Sequence, residues 1–179
     1  MDLATAYTYR ASASETVGKH GDALTDLNRA IALNPNLAGL YSNRGNIYLA
    51  LGNEDKALAD YTQAIQLNLN FAGAYFNRGN VYSRRGDLDR ALTDLTAAVH
   101  LRPTYASAYF NRGIVYFRMG RDADATADFR KTLELNPQHQ GALRALRHLE
   151  KDVKPGDTIK FSADKVNGQI AVMKIEKAK

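Results

Sequence analysis

The feature that most constrains this chain is its own periodicity: residues recur at intervals of 34. Asn-Arg-Gly stands at Asn43-Arg44-Gly45, Asn77-Arg78-Gly79 and Asn111-Arg112-Gly113. Tyr7, Tyr41, Tyr75 and Tyr109 step by the same interval, as do Gly18, Gly52, Gly86 and Gly120, and Ala23, Ala57, Ala91 and Ala125. Four consecutive units follow, 4–37, 38–71, 72–105 and 106–139. A unit this short cannot enclose a core alone, so it must stack on its neighbours and bury apolar surface between them.

Each unit reads as two helices. In the third, Ala74-Tyr75-Phe76 to Ser83-Arg84 runs without Pro and ends at Arg85-Gly86-Asp87, a turn signal. Leu88, Ala91, Leu92, Leu95, Ala98 and Val99 then recur at helical spacing up to Leu101, and Pro103 stops the helix. Asp22, Asn53, Asp87 and Asp122 stand near the second helix starts, where a side chain can accept from unpaired amides. Gly45, Gly79 and Gly113 fall in mid-helix, where Gly costs about 1 kcal/mol relative to Ala. Their recurrence predicts a close helix crossing, with Ala23, Ala57, Ala91 and Ala125 as partners and Tyr48, Tyr82 and Tyr116 filling the next layer.

These residues resemble the tetratricopeptide repeat (TPR), whose pattern runs aromatic, small, aromatic, Ala, aromatic or apolar, Ala, Pro. The third unit gives Tyr75, Gly79, Tyr82, Ala91, Leu95, Ala98 and Pro103; the fourth gives Tyr109, Gly113, Tyr116, Ala125, Phe129, Thr132 and Pro137. The second has Leu69 in place of Pro, and the first has Ala11 for Gly and Ser14 for the aromatic. The resemblance implies an all-α solenoid. Arg10, Arg44, Arg78 and Arg112 recur where the family usually has Leu, and Asp26, Asp60, Asp94 and Asp128 recur on the second helices. We expect a structural Arg–Asp ladder, tying helix to helix within or between units.

The resemblance also implies a concave surface lined by the first helices and holding a protein or peptide partner. Carried over by register, its lining is Thr8, Ser42, Phe76 and Phe110; Ser12, Asn46, Asn80 and Ile114; Glu15, Leu49, Ser83 and Phe117; and Thr16, Ala50, Arg84 and Arg118. The surface changes from small and polar to aromatic with two Arg. Some family members clamp a C-terminal carboxylate with two Asn and three basic residues. Asn46 and Asn80 match the Asn pair, but Ser42, Phe110 and Ile114 occupy the basic registers. The expected ligand is therefore a segment with an apolar anchor, seated on Phe76, Phe110 and Phe117, and an acidic flank meeting Arg84 and Arg118.

Other chemistry finds little support. The chain has no Cys and no Trp, which excludes disulfides, thiolate metal sites and cysteine nucleophiles. His139 and His148 do not share a helical face, so no metal site is expected. No Ser/His/Asp set, phosphate-cradling glycine loop or carboxylate pair stands out, so neither an enzyme nor a cofactor is expected. A net charge of +5, with no basic stripe interleaved with aromatics, does not point to nucleic acid. With 24% charged and 45% apolar residues, membrane spanning is not expected either. Arg85-Gly86-Asp87 spells an adhesion tripeptide, but at a turn where Gly-Asp serves the fold. The start, Met1-Asp-Leu-Ala, shows no signal peptide, leaving the cytoplasm and the periplasm both open.

Composition shifts near Lys154-Pro155-Gly156: all 14 Arg lie at or before Arg147, and residues 154–179 hold 6 Lys against 3 acids. Before that boundary, 140–153 reads as a capping helix, apolar through Ala142, Leu143, Leu146 and Leu149. Beyond it, Ile159 and Phe161, then Ile170 and Val172, alternate on either side of Asn167-Gly168, which predicts a β-hairpin. Residues 154–176 resemble the last two strands of the CusF-like periplasmic copper chaperones, without the strands that carry their copper ligands. The tail thus adds two alternatives to the scaffold reading: self-assembly through a strand edge or repeat stacking, and an accessory role in envelope metal handling.

Overall fold

The computed structural model describes residues 2–151 and, in the tail, the backbone of 159–166 and 169–177. Residues 2–151 are all helical: α1 (Leu3–Thr16), α2 (His20–Leu33), α3 (Ala38–Ala50), α4 (Glu54–Leu67), α5 (Ala72–Arg84), α6 (Leu88–Leu101), α7 (Ala106–Arg118), α8 (Asp122–Leu135) and α9 (Gln140–Lys151). The first eight form helix pairs, α1 with α2 through α7 with α8, and each pair also packs on the next. The tail backbone runs as β1 (Ile159–Val166) and β2 (Gln169–Lys177), paired antiparallel with a register shift at Ser162/Ala163. The expected turn at Asn167-Gly168 lies outside the described residues.

Local chemistry accounts for the helix boundaries. Gly18, Gly52, Gly86 and Gly120 close the intra-pair turns with φ between 71 and 81°, a left-handed backbone that Gly adopts without a Cβ clash. The expected caps need correction. Asn53 and Asp87 do cap, accepting from the N–H of Lys56 and Arg90. Asp22 and Asp122 instead lie inside the first turns of α2 and α8, whose cap positions are Lys19 and Arg121 with no side-chain bond. The capping register is 19, 53, 87 and 121, and only two of its four residues have a side chain able to accept.

The core is a string of clusters, each spanning one pair and the helix that follows. Ala11, Ala23, Leu27 and Ala30 bury Leu40 and Ile47 of α3. Ala57 and Tyr61 meet Val81; Ala91 and Leu95 meet Val115; Ala125 and Phe129 meet Ala142 of α9. The close crossing at the mid-helix glycines exists, but its chief partner is the large residue sixteen positions on rather than the recurrent Ala. A Cβ on Gly45 would lie 2.8 Å from the Tyr61 ring, one on Gly113 2.7 Å from the Phe129 ring, and one on Gly79 3.0 Å from Leu95 Cγ. The missing side chain gives its space to a ring or a leucine, which explains why Gly persists where propensity disfavours it.

The arginine registers make the polar framework. Arg10 meets Asp26, Arg44 Asp60, Arg78 Asp94, and Arg112 Asp128, each through Nε and Nη2 to the two carboxylate oxygens at 2.6–2.9 Å. The four carboxylates are buried. The fork lies within a pair, while Nη1 crosses to the preceding one: from Arg44 to Asn28 Oδ1 and from Arg78 to Thr62 Oγ1. Tyrosines flank the guanidinium, as at Arg112, which lies 5.5 Å from the Tyr109 centroid and 5.7 Å from that of Tyr116. These hydrogen bonds raise the affinity of Arg44, Arg78 and Arg112 for their protons.

Candidate functional site: the face shared by the first helices

Helix α5 touches both α3 and α7, so the first members of the second, third and fourth pairs contribute to one continuous face. Polar side chains join them across it. Asn77 of α5 donates from Nδ2 to Asn46 Oδ1 of α3 at 3.0 Å, and Asn111 of α7 donates to Asn80 Oδ1 of α5 at 2.8 Å. The Tyr61 hydroxyl adds a second bond to Asn46 Oδ1, at 2.8 Å. Burial pushes that phenol up to about 12. With Oδ1 satisfied from inside, the amide groups of Asn46 and Asn80 are fixed in orientation. Asn77 and Asn111 are not among the expected site residues, and their recurrence in Asn-Arg-Gly is the signal that points to them.

The apolar registers divide. Leu49 packs beside Tyr61 and Val81. Phe76 tilts against Tyr105 with centroids 4.8 Å apart, and Phe110 contacts Phe129 at 5.7 Å and His139 at 4.4 Å. Ile114 joins the Phe129 and Ala142 cluster. These four are half-buried between helix pairs. Phe117 differs: it is 38% exposed and meets His148 of α9 edge-on at 5.9 Å. Of the three phenylalanines in these registers, Phe117 is therefore the exposed one, and Phe76 and Phe110 are half-buried against neighbouring rings.

The two expected cations have unlike surroundings. Arg84 pairs with Glu54 at 3.1 Å, and Glu54 also receives Arg85 at 2.8 Å. Arg118 reaches back to α5 and donates through Nη1 to the carbonyl and hydroxyl of Ser83. The Arg85-Gly86-Asp87 tripeptide is spoken for at both ends. Arg85 is held by Glu54 and Asp55, and Asp87 caps α6 while pairing with Arg90. Among the described residues, no group of three or more His, Asp or Glu side chains is placed to hold a metal, and no helix is long and apolar enough to cross a membrane. His139 Nδ1 accepts from the Ala142 N–H at 3.1 Å, a role at the start of α9.

The repeat geometry agrees with comparison to known proteins. The family model described as TPR repeat matches residues 17–52, 45–86 and 79–120, and that described as Tetratricopeptide repeat matches 106–139. The chain is a tetratricopeptide repeat protein. The matched stretches end at residue 139 and leave α1 and the tail outside them, so they do not support a copper-chaperone tail. A comparison with curated proteins gives no match. Among solved structures, the TPR chain is similar to the Arabidopsis OM64 TPR domain, with 31% identity over 65% of this chain and 97% of that one and a TM-score of 0.63. The first TPR of Spaghetti (RPAP3), bound to the HSP90 peptide SRMEEVD, is 28% identical over 65% of this chain and 93% of that one, with a TM-score of 0.63. MamA shares the fold, with 23% identity over 83% of this chain and 81% of that one and a TM-score of 0.74.

Proposed function

We propose that this TPR protein is a non-catalytic interaction scaffold of four repeats, 4–37, 38–71, 72–105 and 106–139, capped by 140–153, and that it holds a peptide or partner segment on the face shared by α3, α5 and α7. Its fold class already supports protein–protein interaction in general, and a structurally similar domain holds an HSP90 peptide. The observation that carries the reading is the pinned pair Asn46 and Asn80, together with exposed Phe117 on the same run of first helices. Fixed amides can pair with the backbone of an extended segment, and an exposed ring seats one apolar side chain. Of the two expected cations, Arg84 is already paired with Glu54, and Arg118 favours an acidic flank. A carboxylate clamp is not proposed, because Ser42, Phe110 and Ile114 fill the basic registers.

A peptide array probed with the full chain tests this. Sequences with an apolar residue near acidic ones should be retained, and Phe117→Ala should weaken them. Binding that is indifferent to Phe117, Asn46 and Asn80 would sink the reading. A second reading rests on the antiparallel β1–β2 ribbon, which has two outer edges that could recruit another chain. Solution mass of the full chain against one ending at Asp152 decides it: a dimer lost on truncation supports assembly through the tail.

A further inference from the structure

The two cations on the proposed binding face are not equivalent. A carboxylate partner orients an arginine and cancels its charge; a carbonyl or hydroxyl orients it and leaves the charge intact. Arg84 is in the first state, because Glu54 faces it at 3.1 Å. Arg118 is in the second: both of its described acceptors belong to Ser83, a backbone carbonyl and a hydroxyl. Among the described residues it meets no carboxylate. The guanidinium carries five N–H donors, and only Nη1 is engaged with Ser83, so the rest of the fork is open to an incoming oxyanion. The preceding residue is Phe117, the exposed ring of this face.

Charge along the chain points the same way. Residues 1–71 carry 5 Lys and Arg against 7 Asp and Glu, whereas residues 72–151 carry 13 against 8. An anionic segment is therefore favoured toward the α7 and α9 end and disfavoured toward α1, where Glu15 lies close enough to influence Tyr61.

Resting on the peptide-binding reading, we propose that the face is polar along its length: Arg118, rather than Arg84, receives an Asp or Glu side chain of the bound segment, next to an apolar side chain seated on Phe117. The ligand class is a peptide with an apolar residue and an acidic pair in adjacent positions. Ser83 is a positioning residue that holds Arg118 across α5 and α7.

The test uses three fluorescein-labelled nine-residue peptides that differ only in the pair beside one Leu: Glu-Glu, Gln-Gln or Lys-Lys. Anisotropy titrations compare the full chain with Arg118→Ala, Arg118→Lys and Arg84→Ala, each checked for helical content. The Glu-Glu peptide should bind roughly tenfold tighter than Gln-Gln, from one charge-assisted hydrogen-bonded contact. Arg118→Ala should erase that preference, Arg118→Lys should keep part of it, and Arg84→Ala should leave it within about twofold. A preference erased by Arg84→Ala and not by Arg118→Ala overturns the polarity while peptide binding stands. Binding of all three peptides with equal affinity also overturns it. Failure of all three to bind the unaltered chain removes the peptide reading, and the polarity with it.

Discussion

Arg78 grips Asp94 with two parallel hydrogen bonds, 2.7 Å from Nε and 2.9 Å from Nη2, and the same guanidinium reaches back 3.0 Å to Thr62 of the preceding helix pair. One side chain thus fixes both the angle within a pair and the step between pairs. The Arg10–Asp26 pair shows what the preceding neighbour contributes. The Arg10 side chain is 61% exposed, whereas that of Arg112 is 16% exposed.

Removing a middle rung should therefore be costly. Arg78→Ala leaves the buried Asp94 carboxylate without its cation, which should lose about 3–5 kcal/mol. Arg78→Lys keeps the charge but not the fork and should recover only part of this. Arg10→Ala should lose less, because water already reaches the arginine side of that pair and can enter over Asp26. Urea unfolding of the three variants checks the order.

The Arg10–Asp26 rung also sets an acid limit. The hydrogen bonds from Arg10 hold the Asp26 carboxyl below its ordinary value of 3.8. A carboxyl depressed on folding contributes stability above the unfolded value and loses it as pH falls through the folded one. Stability should thus decline below pH 3.8, and Asp26→Asn should flatten that part of the profile. At the alkaline end, the Tyr61 phenol shifts from 10 to about 12, so its contribution is intact below pH 10 and lost as pH rises toward 12. Tyr61→Phe should remove that decline. Melting temperature as a function of pH reads both ends.

Two glycines should respond with opposite signs. Gly113→Ala drives a Cβ to 2.7 Å from Phe129, a ring that is 1% exposed and cannot yield, so roughly 1–3 kcal/mol of overpacking outweighs the gain in helix propensity. Gly21 of α2 has nothing within 4 Å of the added Cβ and no positive φ. Gly21→Ala should stabilise by roughly 0.5–1 kcal/mol. Paired thermal melts separate the two.

The corrected caps give a matched pair. Asp87 accepts from the Arg90 N–H at 3.2 Å, and Asp87→Ala should cost about 1 kcal/mol. Asp122→Ala removes a residue inside the first turn and should stay within about 0.5 kcal/mol. Equal losses would mean that the cap assignment is wrong.

Much of this was legible in the sequence because a repeat tests itself. A residue that returns every 34 positions, such as Arg44, Arg78 and Arg112, carries a role that one copy would not reveal. Periodicity gives registers, however, and not which neighbour a register meets. Gly45 and Ala57 looked like partners because both are small, yet the crossing is set by Tyr61, whose ring needs the space that Gly leaves. The caps differ for a similar reason: Asp22 sits three residues past the capping register and Asp122 one, and only residue type groups them with Asn53 and Asp87. On the proposed binding face, nothing local distinguishes Phe76 from Phe117. Only the packing of Tyr105 on the one and the exposure of the other separates them.

The most direct test of the account is to map where a partner touches. With the tightest peptide from the array bound to the full chain, amide hydrogen exchange should slow in α5 and α7, around Asn80 and Phe117, and remain unchanged at the end of α2 and in the turns around exposed Leu33, Leu37 and Leu69. Protection confined to those leucine turns, with α5 and α7 unaffected, would contradict it.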